Sequence, residues 1–222
     1  MGRAPLSLAV LISGRGSNMV AIAQACAQGR INATIRGVIS DQPAAAGLDT
    51  ARTLGLATHI VARAGFSADA AFELELARTI DEGSPELILF AGFMRILSPA
   101  LVTRYTGRML NIHPSLLPLY RGLHTHRRVL AAGDTEHGAS VHFVTPELDA
   151  GPVVLQSRVG VFPDDTDASL AARVLASEHI IYPKAVGWFA AGRLALIAGR
   201  VWLDGVCLDA PLVEVMRVAT TQ

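Results

Sequence analysis

From residue 6 to residue 113 the chain alternates short apolar runs with segments of helical spacing, most of them closed by glycine or proline. Runs at 6–12, 35–40, 58–61, 87–90 and 109–113 read as strands. Between them 18–28, 44–54, 68–82 and 98–105 read as helices, and Gly29, Gly55 and Gly83 stand at three of their ends. Strands separated by helices of this length imply a parallel sheet covered on both faces. In such sheets ligands sit beyond the carboxyl ends of the strands. The loops after Ile12, Phe90 and His113 are therefore the places to look for chemistry.

The second half changes character. A helix is expected at 124–132, and strands at 139–144 and 153–159, joined by a loop that carries Asp149. Those two strands can pair as a hairpin and extend the sheet antiparallel. A long helix follows at 167–189, and a terminal hairpin at 193–197 and 201–203, turned at Gly199. The expected class is α/β: a mostly parallel, open, twisted sheet, Rossmann-like in its N-terminal half, with helices on both faces and an antiparallel C-terminal extension. At 222 residues, 51% of them hydrophobic and 17% charged, the chain can bury a sizeable core. One domain over 1–222, with halves 1–110 and 111–222, is expected.

Charge and cysteine narrow the class of partner. A formal net charge of zero offers no basic surface to nucleic acid. Cys26 and Cys207 form no CxxC, which argues against zinc or a disulfide framework and suits a reducing cytosol. No apolar run reaches the length of a membrane span. The run at 6–12 leads into Ser13-Gly14 without a small-residue cleavage pattern, so it reads as a core strand rather than a leader.

Four places carry candidate chemistry. Ser13-Gly14-Arg15-Gly16-Ser17-Asn18 joins the first strand to the first helix, where glycines admit close approach and helix-start amides attract an anion, most naturally phosphate. Either this loop holds a ligand or it is a tight turn with Asn18 as helix cap. It is no Walker A loop, because no Lys-Ser/Thr follows. Asp41, after the second strand, stands where a ribose-binding acid of a dinucleotide site would, but Met19 replaces the third glycine of that motif.

Asn111 and His113, two apart on a strand, share one face. One can donate to a developing oxyanion while the other handles protons. Asp149, in a Gly/Pro-rich loop, is either a turn residue or the carboxylate that holds the imidazole. Val174, Glu178, Ile181 and Ala185 follow 4-3-4 spacing, so Glu178 falls on the inward stripe of its helix. A carboxylate there needs a partner or a ligand. Phe93 to Leu97 can form an apolar wall at a ligand-binding edge. His137 is either a ligand contact or a cap, and His124-Thr125-His126 reads as structural.

These segments together resemble the phosphoribosylglycinamide formyltransferase family, the folate-dependent formyltransferases of purine synthesis. The resemblance runs from Val10-Leu11-Ile12-Ser13-Gly14-Arg15-Gly16-Ser17-Asn18 to Trp202-Leu203-Asp204-Gly205. Between these lie 91–98, 110–118, 122–126, 136–144 and Asp149-Ala150-Gly151-Pro152-Val153. It implies formyl transfer from 10-formyltetrahydrofolate, as co-substrate, to the amine of glycinamide ribonucleotide in a cytoplasmic monomer or homodimer. No metal, nucleic acid or membrane is implied. Gly16, Ser17, Asn18 and Glu178 would hold the ribonucleotide. Met94, Arg95, Ile96, Leu97, Asn111, Thr145, Pro146, Glu147, Leu148 and Asp149 would hold the folate. Asn111, His113 and Asp149 would be catalytic, with His137 and Ser140 as further candidates. The halves become a ribonucleotide phosphate-binding half and a catalytic, folate-binding half. One departure stands out: the family often carries an Arg near position 69, where this chain has Asp69, with Arg63 nearby. The alternatives are a formyltetrahydrofolate deformylase, a methionyl-tRNA formyltransferase, an NAD-dependent dehydrogenase and a non-catalytic nucleotide-binding protein. The deformylase should carry an extra N-terminal domain, and the tRNA enzyme an extra C-terminal domain and basic surface.

Overall fold

The structure is a computed structural model that describes residues 4–216. Its first half contains β1 (Leu6–Ile12), α1 (Ser17–Ala27), β2 (Ala33–Ser40), α2 (Ala46–Thr53), β3 (Thr58–Ile60), α3 (Asp69–Glu82), β4 (Leu87–Phe90), α4 (Pro99–Arg104) and β5 (Met109–His113). The second half contains α5 (Thr125–Ala132), β6 (Glu136–Phe143), β7 (Val153–Gly160), α6 (Asp167–Ala190), β8 (Leu194–Ile197), β9 (Arg200–Leu203), β10 (Val206–Cys207) and β11 (Leu212–Val215). Eight strands form one sheet in the order β11-β7-β6-β5-β4-β1-β2-β3, and β10-β9-β8 form a small second sheet.

The first five strands pair parallel. β5 to β6 and β6 to β7 are antiparallel, as the expected hairpin requires. β11 then pairs parallel with β7. This strand was not foreseen, and neither was β10. The sequence pattern placed β6 three residues too late, because Glu136, His137 and Gly138 already pair with Gly160, Val159 and Arg158.

Alternation along β1 shows why the sheet is buried on both faces. Leu6, Leu8, Val10 and Ile12 enter one apolar cluster, with α1 and α6. Ala9 and Leu11 enter the other, with α3 and α4. Burying Leu-sized side chains this fully contributes about 1.5–3 kcal/mol each. α6 is anchored by its expected stripe, since Val174, Ile181 and Ala185 are fully buried. The Tyr182 hydroxyl donates to the carbonyls of Leu110, at 2.9 Å, and Phe90, at 3.2 Å, and so ties α6 to the two strands that carry the site.

Strand order in the sheet switches between the parallel neighbours β1 and β4: the chain winds outward through β2 and β3 on one side and through β5 on the other. The loops after these strands diverge there and leave a crevice at their carboxyl ends.

Candidate active site

The glycine loop enters α1 without a side-chain cap. Gly16, at φ 70°, is the N-cap, and the helix begins at Ser17, one residue before the expected start. This rules out Asn18 as the cap. The first amides of α1 lack intrahelical acceptors and face the loop, which is the arrangement that binds an anion. Gly47, at the start of α2, keeps the loop in place. Its N–H donates to the Gly14 carbonyl at 3.0 Å. A Cβ there would lie 2.7 Å from Ile12 Cδ1 and 2.9 Å from the Gly14 oxygen. Nothing in the sequence pattern of 44–54 singled out Gly47.

Asn18 and Glu178, 160 positions apart, meet behind the loop. Asn18 Nδ2 donates to Glu178 Oε2 at 2.6 Å. They are 7% and 6% exposed. Burial pushes the Glu178 carboxyl up from 4.5 to about 7, and the Asn18 bond opposes part of that rise. Asn18 Oδ1 is buried with no partner. A donor on a ligand, such as a hydroxyl or an amine, would satisfy it. Next to this pair, Arg15, Ser17, Gln24, Arg30 and His179 line a cleft between α1 and α6 with no carboxylate among them. It favours a negatively charged group.

The second crevice lies beyond β4 and β5. Phe90, Arg95, Ile96, Leu97, Asn111, His142, Thr145, Pro146, Leu148 and Asp149 are among its lining. Met94 and Glu147 are not among these lining residues. Met94 is 69% exposed in the same loop as Arg95 to Leu97. Glu147 points outward into an ion pair with Arg121. Asp69 likewise forms a surface ion pair with Arg63, so its charge is already matched.

At the second crevice, Asn111 and Asp149 come together with His113 and with a residue that sequence reasoning passed over. His142 sits opposite Asn111 in the β5–β6 register. Its Nδ1–H donates to the Phe143 carbonyl at 3.0 Å. That leaves Nε2 as an acceptor, and it takes one N–H of the Asn111 amide at 3.0 Å. Burial pushes the His142 imidazole down to about 4, so it stays neutral and keeps accepting. The second Asn111 N–H is thus aimed by a fixed tautomer. In the sequence His142 lay within the expected strand 139–144 and was given no role; the signal was its place opposite Asn111, visible only once the hairpin register is set.

His113 is held from the other side. Its Nε2–H donates to the Tyr120 carbonyl at 3.0 Å, and its Nδ1 lies 3.5 Å from Asp149 Oδ2. Asp149 adopts φ 49°, a left-handed conformation that Asp tolerates better than most residues. Its Oδ2 accepts the Gly122 N–H at 2.9 Å. One loop, 120–122, therefore orients both the imidazole and the carboxylate.

The two further candidates are engaged elsewhere. Ser140 donates to the Ser115 carbonyl and accepts from Leu117 N–H and Gln156 Nε2, which pins the 115–118 turn. His137, 1% exposed, lies 3.0 Å from His126 Nδ1, and burial pushes it down to about 4.

A doubly wound sheet with a glycine loop opening a helix at its switch point, and an amide–imidazole–carboxylate cluster at a nearby strand end, is the frame of a group-transfer enzyme. The family model described as "Formyl transferase" matches residues 6–186. The chain is 52% identical over 200 residues to the phosphoribosylglycinamide formyltransferase of Escherichia coli (strain K12), covering 90% of this chain and 94% of that one. It is 42% identical to the phosphoribosylglycinamide formyltransferase of Haemophilus influenzae, covering 90% and 95%. The solved structure of the phosphoribosylglycinamide formyltransferase of Coxiella burnetii superposes with a TM-score of 0.91 at 50% identity, covering 94% of this chain and 99% of that one. The chain belongs to the formyl transferase family.

Proposed function

We propose that this enzyme transfers the formyl group of 10-formyltetrahydrofolate to the amine of glycinamide ribonucleotide, giving formylglycinamide ribonucleotide and tetrahydrofolate in purine biosynthesis. The observation that carries the reading is the cluster of Asn111, His113 and Asp149 at the edge of an apolar crevice, in a sheet that also carries a glycine loop opening a helix. Two unlike crevices are available for two unlike substrates. One offers helix-start amides, uncompensated cations and the Asn18–Glu178 pair, and suits a phosphorylated ribose. The other offers an apolar wall with polar edges and suits a flat heterocycle.

The amine attacks the formyl carbon, and charge builds on the formyl oxygen. The free N–H of Asn111, aimed by His142, donates to that oxygen. The attacking nitrogen must lose a proton and the leaving nitrogen must gain one. His113 has Nε2 committed to a backbone carbonyl, so Nδ1 is the position that exchanges a proton. Asp149 lies against Nδ1 and balances the charge whenever it is protonated. An amide donor and a proton shuttle suffice, so the chemistry calls for no metal.

Residues 1–110 would supply the phosphate-binding loop, and 111–222 the catalytic residues and most of the folate crevice. Each half lends to the other: Glu178 to the ribonucleotide, and Arg95 to Leu97 to the folate. With zero net charge and small-molecule crevices, the partners are substrates rather than nucleic acid. No helix among the described residues is long and apolar enough to cross a membrane. We read the enzyme as a cytoplasmic monomer or homodimer.

The test is to mix purified protein with 10-formyltetrahydrofolate, with and without glycinamide ribonucleotide, and to follow folate deformylation. Turnover that requires the ribonucleotide, with formylated product by mass, supports the transferase. Equal turnover without it points to a deformylase.

A further inference from the structure

Asp41 is a buried carboxylate at the mouth of the site that the proposed chemistry does not use. Its side chain is 1% exposed. Oδ1 accepts the Ser13 hydroxyl at 2.5 Å. Oδ2 accepts Arg95 Nε at 2.8 Å and Gln42 Nε2 at 2.9 Å. Both oxygens are therefore occupied by the chain's own donors, and Asp41 is not placed to receive a ribose hydroxyl, the role its position after β2 suggested.

Its partners belong to different ligand loops. Ser13 opens the glycine loop after β1, and Arg95 lies in the loop after β4. Because β4, β1 and β2 are neighbours in the sheet, the three loops emerge side by side. The Ser13 hydroxyl also accepts the Met94 N–H at 2.9 Å, and the Ser13 N–H donates to the Gly92 carbonyl at 2.9 Å. The Arg95 guanidinium lies 5.6 Å from the centroid of the Phe72 ring, which further limits its freedom. A buried carboxylate bonded to a hydroxyl and a guanidinium is directional, and removing it leaves a partly buried cation unmatched.

We propose that Asp41 is a positioning residue that sets both substrate loops at once: the phosphate loop through Ser13 and the folate wall through Arg95. The assignment of a ligand to each loop rests on the formyl-transfer reading. The two arms are chemically separable. Ser13 needs only an oxygen acceptor, whereas Arg95 needs the charge.

Calorimetric titration with glycinamide ribonucleotide alone and 10-formyltetrahydrofolate alone tests this in wild type, Asp41→Asn and Asp41→Ala. The asparagine variant keeps an oxygen for Ser13 and loses the charge. Its folate Kd is expected to rise about three- to tenfold, the loss of one charge-assisted bond, with the ribonucleotide Kd within about twofold of wild type. The alanine variant loses both arms, and both Kd values rise. kcat at saturation stays within about threefold in each, because neither arm touches the reacting atoms. Unchanged Kd values in a folded alanine variant would overturn the proposal, as would equal effects of the two substitutions on both ligands or a loss confined to kcat. If the alanine variant does not fold, the asymmetry of the asparagine variant decides alone. A folded wild type that binds neither ligand rejects the functional reading instead. Amide hydrogen exchange then decides on Asp41: the asparagine variant must exchange faster across 92–97 and not across 13–18, and uniform exchange overturns the proposal.

Discussion

Replacing Glu178 with glutamine should make the protein more stable at alkaline pH and less able to bind its ribonucleotide. Burial holds the Glu178 carboxyl at about 7 instead of 4.5. A carboxyl with a raised folded value binds its proton more tightly in the native state. Its contribution is therefore fully present below 4.5 and is lost as pH rises through about 7. Above pH 8 the folded protein carries a buried anion whose main compensation is one bond from Asn18. At about 1.4 kcal/mol for each tenfold change in acidity, the ionised form costs the native state about 3 kcal/mol. Glu178→Gln keeps an oxygen for Asn18 and cannot ionise. Urea unfolding at pH 5 and pH 8.5 should show a gap between variant and wild type that widens by about 2–3 kcal/mol, with unchanged m-values. The buried histidines are common to both proteins and cancel in the difference. The same change removes a charged acceptor beside the phosphate loop, so the ribonucleotide Kd should rise about tenfold. A gap that is constant between the two pH values, or a variant less stable at both, would refute this reasoning.

Three other consequences follow from the site. His142→Ala frees the Asn111 amide to rotate, so kcat should fall by about tenfold or more with folate Kd little changed, as read by single-turnover kinetics and direct binding. Gly47→Ala drives a methyl into Ile12 and the Gly14 carbonyl; expect about 1–3 kcal/mol of destabilisation and a raised ribonucleotide KM, measured by urea unfolding and steady-state kinetics. His137, held down at about 4, stays neutral when folded and takes a proton when unfolded, so the wild type loses stability as pH falls from 6.5 toward 4. His137→Phe should flatten that acid limb in urea unfolding, and an unchanged limb would assign it to other groups.

The fold was legible where one physical cause set the pattern. β1, β4 and β5 were read to the residue, because buried parallel strands are uninterrupted apolar runs bounded by turn residues. Glu178 was legible as a carboxylate on an apolar stripe, and Asn111 and His113 as two residues on one strand face. β11 was not, because Leu212–Val215 is a short edge strand, largely exposed, whose partner lies more than fifty residues away. His142, Gly47 and Asp41 share a different obscurity. Each acts on a residue distant in sequence, through a register, a close backbone approach or adjacent strand ends, and none of these is local.

Transfer of a formyl group at Asn111, His113 and Asp149 is tested most directly by one rapid-quench experiment on Asp149→Asn. Enzyme in excess is mixed with radiolabelled 10-formyltetrahydrofolate and saturating glycinamide ribonucleotide, and label in the ribonucleotide is counted. If the carboxylate balances His113 during proton transfer, the single-turnover rate falls by about a hundredfold or more while both substrates still bind. A rate within about threefold of wild type would contradict the assignment and place the proton transfer elsewhere.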